Sequence, residues 1–112
     1  MKKTLLVSVF LSLFSLNGWA QEVDYDKRNL HIFCASHLAI LGDLLIEKGD
    51  DYKALVFLSD KHGDEARKMG ATDEHFSDVA SYLKTVRNNN KGKWDRLTSR
   101  SRDVCFPSSR TG

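Results

Sequence analysis

The chain has 112 residues, 17 lysines and arginines against 15 aspartates and glutamates, and two cysteines. That length excludes two independent hydrophobic cores and leaves room for one modest core. With no CxxC spacing and no histidine cluster beside either cysteine, the common structural zinc patterns are excluded as well.

The first twenty residues read as a secretory signal peptide. Lys2 and Lys3 form a positive start, residues 4–16 are apolar apart from Ser8, Ser12 and Ser15, and Gly18 and Ala20 supply the small residues that signal peptidase requires, placing cleavage before Gln21. The apolar run is shorter than the roughly 20 residues needed to cross a bilayer. The expected product is a periplasmic or secreted protein with no stable membrane insertion after cleavage. Its basic and acidic side chains are equal in number. In an oxidising compartment the two cysteines, Cys34 and Cys105, are expected to pair. Closing so long a loop disfavours the unfolded chain by on the order of 4 kcal/mol.

Past the signal, apolar residues recur at intervals of three and four, the period of a helix buried on one face. Leu30, Phe33, Cys34, Leu38, Leu41, Leu44 and Leu45 predict a first helix over residues 26–48, stopped by Gly49 in a left-handed C′ position. A second helix over residues 51–69 buries Leu55, Leu58, His62, Ala66 and Met69, with Val56 and Phe57 widening its apolar face, and ends at Gly70. Gly63 inside it costs about 1 kcal/mol relative to alanine. Thr72, followed by Asp73 and Glu74, is a capped helix start. The third helix buries Phe76, Val79, Ala80, Leu83 and Val86 and stops at Asn88, Asn89 and Asn90. A fourth, over residues 93–104, carries Trp94, Leu97, Ser101 and Val104 or Cys105 on one side, and Pro107 ends it. Short connections make neighbours antiparallel. The predicted fold class is all-α, a compact four-helix assembly stapled by the Cys34 to Cys105 disulfide, with a single helical domain over residues 21–107 and a disordered tail at 108–112.

Charge is unevenly spread. Residues 21–83 carry seven basic and thirteen acidic side chains, and residues 84–112 carry eight basic and two acidic. Opposite charge on packed helices is the simple reading, and a basic patch for an acidic partner is the sharper one. Lys93, Arg96 and Arg100 fall along one side of the fourth helix and are the candidate partner-binding residues. Lys84, Arg87, Lys91 and Arg102 extend the basic segment around Trp94, which itself reads as core. Nucleic acid is not the expected partner of an exported chain.

Catalytic chemistry finds no support. None of the four histidines, His31, His37, His62 and His75, pairs with another at i, i+4, and no HExxH motif is present. Ser36 and His37 are adjacent on a helix, so their side chains diverge by about 100° and do not form a nucleophile and base. Asp60, Asp64 and Glu65 share a helix surface with Lys61, Arg67 and Lys68, a solvated face of intrahelical pairs. The chain is read as non-enzymatic, with no catalytic residue, cofactor or established metal site. His37 and His62, beside core stripes on adjacent helices, are the pair expected to meet if a metal or small ligand is carried, with Asp43 or Asp60 nearby.

Leu41, Gly42, Gly49, Asp50 and Ala54 stand at the spacing of a tetratricopeptide-repeat hairpin, and residues 41–58, up to Leu58, resemble that family. The resemblance implies a close approach of two helices at Gly42 and Ala54. One such hairpin is present, so a groove of stacked repeats is not implied. The signal peptide, Cys34-Ala35 on the first helix, the helix end from Ala66 to Gly70 and a cysteine near the C-terminus are together similar to the small one-disulfide helical proteins exported by Gram-negative bacteria and their phages. That resemblance implies compartment and fold rather than chemistry. The expected function is binding of another envelope or exported protein, of the inhibitor or immunity type, through the basic face of the fourth helix or the hairpin tip from Gly49 to Tyr52. The alternatives are a small-ligand or metal carrier and a structural or stress-chaperone component of the envelope.

Overall fold

Asp24 opens the first helix by accepting the backbone amide of Lys27 at 3.0 Å, taking up one of the amides that a helix start leaves without a partner. In the computed structural model, which describes residues 23–107, α1 spans Tyr25–Leu44, α2 Asp50–Lys68, α3 Asp73–Asn89 and α4 Lys91–Val104. The described residues form an all-α assembly with no strand among them. The predicted signal peptide, residues 1–20, and the predicted tail, residues 108–112, lie outside the described residues.

Helix α1 is the central element. Cys34, Ala35, Ser36, His37 and Leu38 are buried in succession, so the helix is covered on every side through its middle. The stripe of leucines in the sequence implied one buried face; the structure covers the opposite face too, because α2 and α3 both pack on α1 and their backbones do not pack on each other. Helix α4 packs on α3 and on α1. The Cys34 to Cys105 disulfide joins α1 to the end of α4, with Cα atoms 5.4 Å apart. Leu38 joins the two cysteines in a fully buried cluster, flanked by Leu30, Phe33, Leu41, Leu55, Leu58 and Val104. Ile32, Ala66 and Ala71 form a second cluster, onto which Phe76 and Val79 of α3 pack.

The turns show how local chemistry sets these helices. At the end of α2 the amide of Ala71 donates to the carbonyl of Ala66 and that of Gly70 to Arg67, both at 3.0 Å. This is the Schellman pattern, and Gly70 supplies the positive φ of 94° that it needs. Ala71 then tucks beside Ala66, sealing the turn apolarly. Thr72 caps α3 in a reciprocal box with His75, whose Nδ1 accepts the Thr72 amide at 2.9 Å. Asn90 serves two helices. Its amide donates to the carbonyl of Val86 to finish α3, and its side-chain oxygen accepts the amide of Lys93 to start α4. The asparagine run is therefore a single-residue joint rather than a loop, and α4 begins at Lys91, two residues earlier than predicted.

Three expectations are corrected. Helix α1 stops at Leu44, not Lys48: Leu45 turns extended, and the ammonium of Lys48 folds back to donate to the carbonyls of Gly42 and Leu45 at 3.0 and 2.8 Å. Gly49 has φ of −91° and is the N-cap of α2, not a left-handed C′ residue. Val56 and Phe57 do not widen a buried face. They stand in solvent, Phe57 61 % exposed, because α2 meets its neighbours along Leu55, Leu58, His62 and Ala66. Helix α2 runs unbroken through Gly63.

The tetratricopeptide-like hairpin is half realised. A Cβ on Gly42 would lie 3.6 Å from the Tyr52 ring and 3.8 Å from Leu55 Cβ, so α1 and α2 do approach closely there. The facing residues are Tyr52 and Leu55. Ala54 is exposed and takes no part.

Candidate functional site

Helix α4 presents two faces of different character. Trp94, Leu97, Thr98 and Ser101 turn inward, with Ser101 fully buried and the indole of Trp94 against the ring of His37, centroids 4.8 Å apart. On the outside, Lys93, Arg96 and Arg100 recur at three and four residues and so form one row. Arg96 and Arg100 are exposed, while Lys93 is half-buried with its ammonium 5.2 Å above the ring of Tyr82 from α3. That cation over a half-exposed tyrosine continues the basic row onto α3. Of the seven cations from Lys84 to Arg102, only Lys91 has a carboxylate within 4.0 Å among the described residues, Asp95 on its own helix.

The other candidate surface, the hairpin tip, is less suited to hold a charged partner. Lys48 is committed to the carbonyls that end α1, its ammonium also lying 4.9 Å from the Tyr52 ring. Ile46 at the tip is 97 % exposed.

A third feature is the cleft left where α2 and α3 part. It has a volume of about 620 Å³, and its floor is Ala35, Ser36, Ala39, Ile40 and Asp43 of α1. Asp60 and Asp64 stand on its α2 wall and Lys84 on its α3 wall. Of the intrahelical pairs expected on α2, Lys68 with Glu65 forms at 3.1 Å. Arg67 instead crosses the turn to Asp73 at 2.7 Å and lies over the Phe76 ring.

The histidines sort differently from the expectation. His37 and His62 do not pair. His37 points from α1 toward α4, fully buried, with Nε2 3.2 Å from the Thr98 hydroxyl and its ring stacked on Phe33. Burial pushes its pKa down to about 4, so it is neutral at pH 7. Its Nδ1 and the hydroxyl of Ser101 are buried with no hydrogen-bond partner among the described residues.

His62 meets His31 instead, Nδ1 to Nδ1 at 2.9 Å. The Nε2 of His62 donates to the carbonyl of Cys105 at 2.6 Å. That bond places the His62 proton on Nε2 and leaves Nδ1 as an acceptor, so His31 donates from its Nδ1. Burial, with the nearby His62, holds the His31 pKa below the usual imidazole value, and Glu65 opposes this in part. Sequence spacing shows no link between these two residues. The available signal was their position: His31 lies one turn before Cys34 and His62 one turn after Leu58, and both Cys34 and Leu58 face the disulfide cluster.

Among the described residues no group of three or more histidines, cysteines, aspartates and glutamates is assembled as a metal site, and no helix is long and apolar enough to cross a membrane. No protein family, no curated protein and no solved structure matches the chain. What fold and surface define, over the described residues, is an all-α assembly of four helices closed by one disulfide, with a basic row on α4 that finds no carboxylate partner among them.

Proposed function

We propose that this is an exported, non-enzymatic protein that acts by binding another protein, of the inhibitor or immunity type, through the outer face of α4 and the adjoining end of α3. The observation that carries this reading is the row of Lys93, Arg96 and Arg100, which has no carboxylate partner within the described residues. Elsewhere the protein joins charges across helices, as Arg67 does with Asp73. Arginines held in a row on a rigid helix match carboxylates in a two-pronged geometry. A same-sign patch also steers an acidic partner toward the correct face.

Rigidity supports the same reading. The disulfide anchors the end of α4 to the central helix, and Trp94 anchors its first turns, so the basic row is presented without the ordering cost of a flexible segment. The disulfide is compatible with the oxidising periplasm or exterior to which a signal peptide would send the chain.

The test is capture from envelope extract on the oxidised, tagged protein. A single stoichiometric partner is expected, lost when Arg96→Glu and Arg100→Glu are combined and when Cys34→Ser is combined with Cys105→Ser. Full retention by the charge-reversed protein would move the interface off α4.

A further inference from the structure

The contact between His31 and His62 joins a ring nitrogen with a free lone pair, Nδ1 of His62, to one that carries a proton, Nδ1 of His31. At 2.9 Å they share one proton. A metal ion at the usual Zn–N distance with a tetrahedral angle holds two nitrogens about 3.3 Å apart, within a few tenths of an ångström of the present spacing. Metal-bound imidazole characteristically donates its other N–H to a carbonyl, which fixes the tautomer and the ring plane. His62 already does so, toward Cys105.

The two rings are also held in place by a closed circuit of bonds. His31 sits one turn before Cys34 on α1, Cys34 is joined covalently to Cys105, and the carbonyl of Cys105 holds His62 of α2. Both histidines line an open hollow of about 310 Å³ with Leu58, Lys61, Glu65 and Pro107. Glu65, one turn past His62 and near enough to His31 for their charges to interact, brings a carboxylate to the same hollow. Its salt bridge to Lys68 is exposed and readily exchanged.

We propose that His31 and His62 bind one divalent transition-metal ion through their facing Nδ1 atoms, with solvent completing the coordination. His31 adopts the other neutral tautomer when it binds, its proton moving from Nδ1 to Nε2. A pair of imidazoles suits Zn²⁺ and, more tightly, Cu²⁺. Neither histidine belongs to the basic row of α4, so the site stands or falls independently of the protein partner.

Calorimetric titration of tag-free, oxidised protein with ZnCl₂ and with CuCl₂ tests the proposal. One ion per chain is expected. His31→Gln and His62→Gln should each weaken binding by more than the roughly 10- to 100-fold that loss of an outer-shell partner alone costs. His75→Gln, which keeps a residue able to complete the capping box of α3, should leave binding unchanged. If His62→Gln fails to fold, the imidazole ¹⁵N shifts of the unmodified protein decide the matter: Zn²⁺ should move the Nδ1 resonances of His31 and His62 and leave those of His37 in place. No heat with either ion, unchanged affinity in the His31 variant, or shifts confined to His75 would overturn it.

Discussion

The imidazole of His37 lies against the indole of Trp94, ring centroids 4.8 Å apart, a fully buried titratable side chain joining α1 to α4. Its pKa in the fold is about 4 against 6.5 when unconstrained. Below pH 6.5 the unfolded chain takes up a proton that the folded chain refuses, so this stability is complete above pH 6.5 and is lost as pH falls toward 4. The full difference is roughly 3 kcal/mol. His37→Phe should therefore flatten the decline in urea midpoint between pH 7 and pH 4 relative to the unmodified protein. An equal decline in both would show that His37 is not the group responsible.

Reduction of Cys34 to Cys105 should cost on the order of 4 kcal/mol, given the 71-residue separation of the two positions. The measurement is the urea midpoint with and without reductant at pH 8. Because Cys105 also holds the ring of His62, reduction should in addition expose the hollow beside His31, read as faster exchange of the His62 ring proton.

Two glycines should respond in opposite directions to the same substitution. Gly70→Ala forces a Cβ into a φ of 94° and should destabilise by about 1 kcal/mol or more. Gly63→Ala lies inside α2, where the added Cβ meets only Ala35 Cβ at an ordinary 3.9 Å, and should stabilise by about 0.5 to 1 kcal/mol. Thermal melts of the two variants check the sign of each.

Asn90→Ala removes the side-chain acceptor for the Lys93 amide at the joint of α3 and α4, and should cost about 1 kcal/mol. Asn90→Asp keeps that acceptor and should recover most of the loss. Equal destabilisation by both would mean that the amide group, and not the cap, is what the joint requires.

Much of this architecture follows from the sequence by itself. The helices are legible because their signals are local: a period of three and four, Thr72 before two acids, Gly70 after Met69. The disulfide is legible because two cysteines have only one way to pair once the chain is read as exported. The row of Lys93, Arg96 and Arg100 is legible because spacing along a helix is also position around it. Only the tertiary structure decided which faces would be covered and which histidines would meet. Val56 and Phe57 carry the same apolar character as Leu55 and Leu58 yet stand in solvent, because the line along which α2 crosses α1 determines who is buried. His62 meets His31 rather than His37 for the same reason. The angular register between packed helices is set by the sum of many distant contacts, here Gly42 against Tyr52 and Cys34 against Cys105, and no single helix encodes it alone.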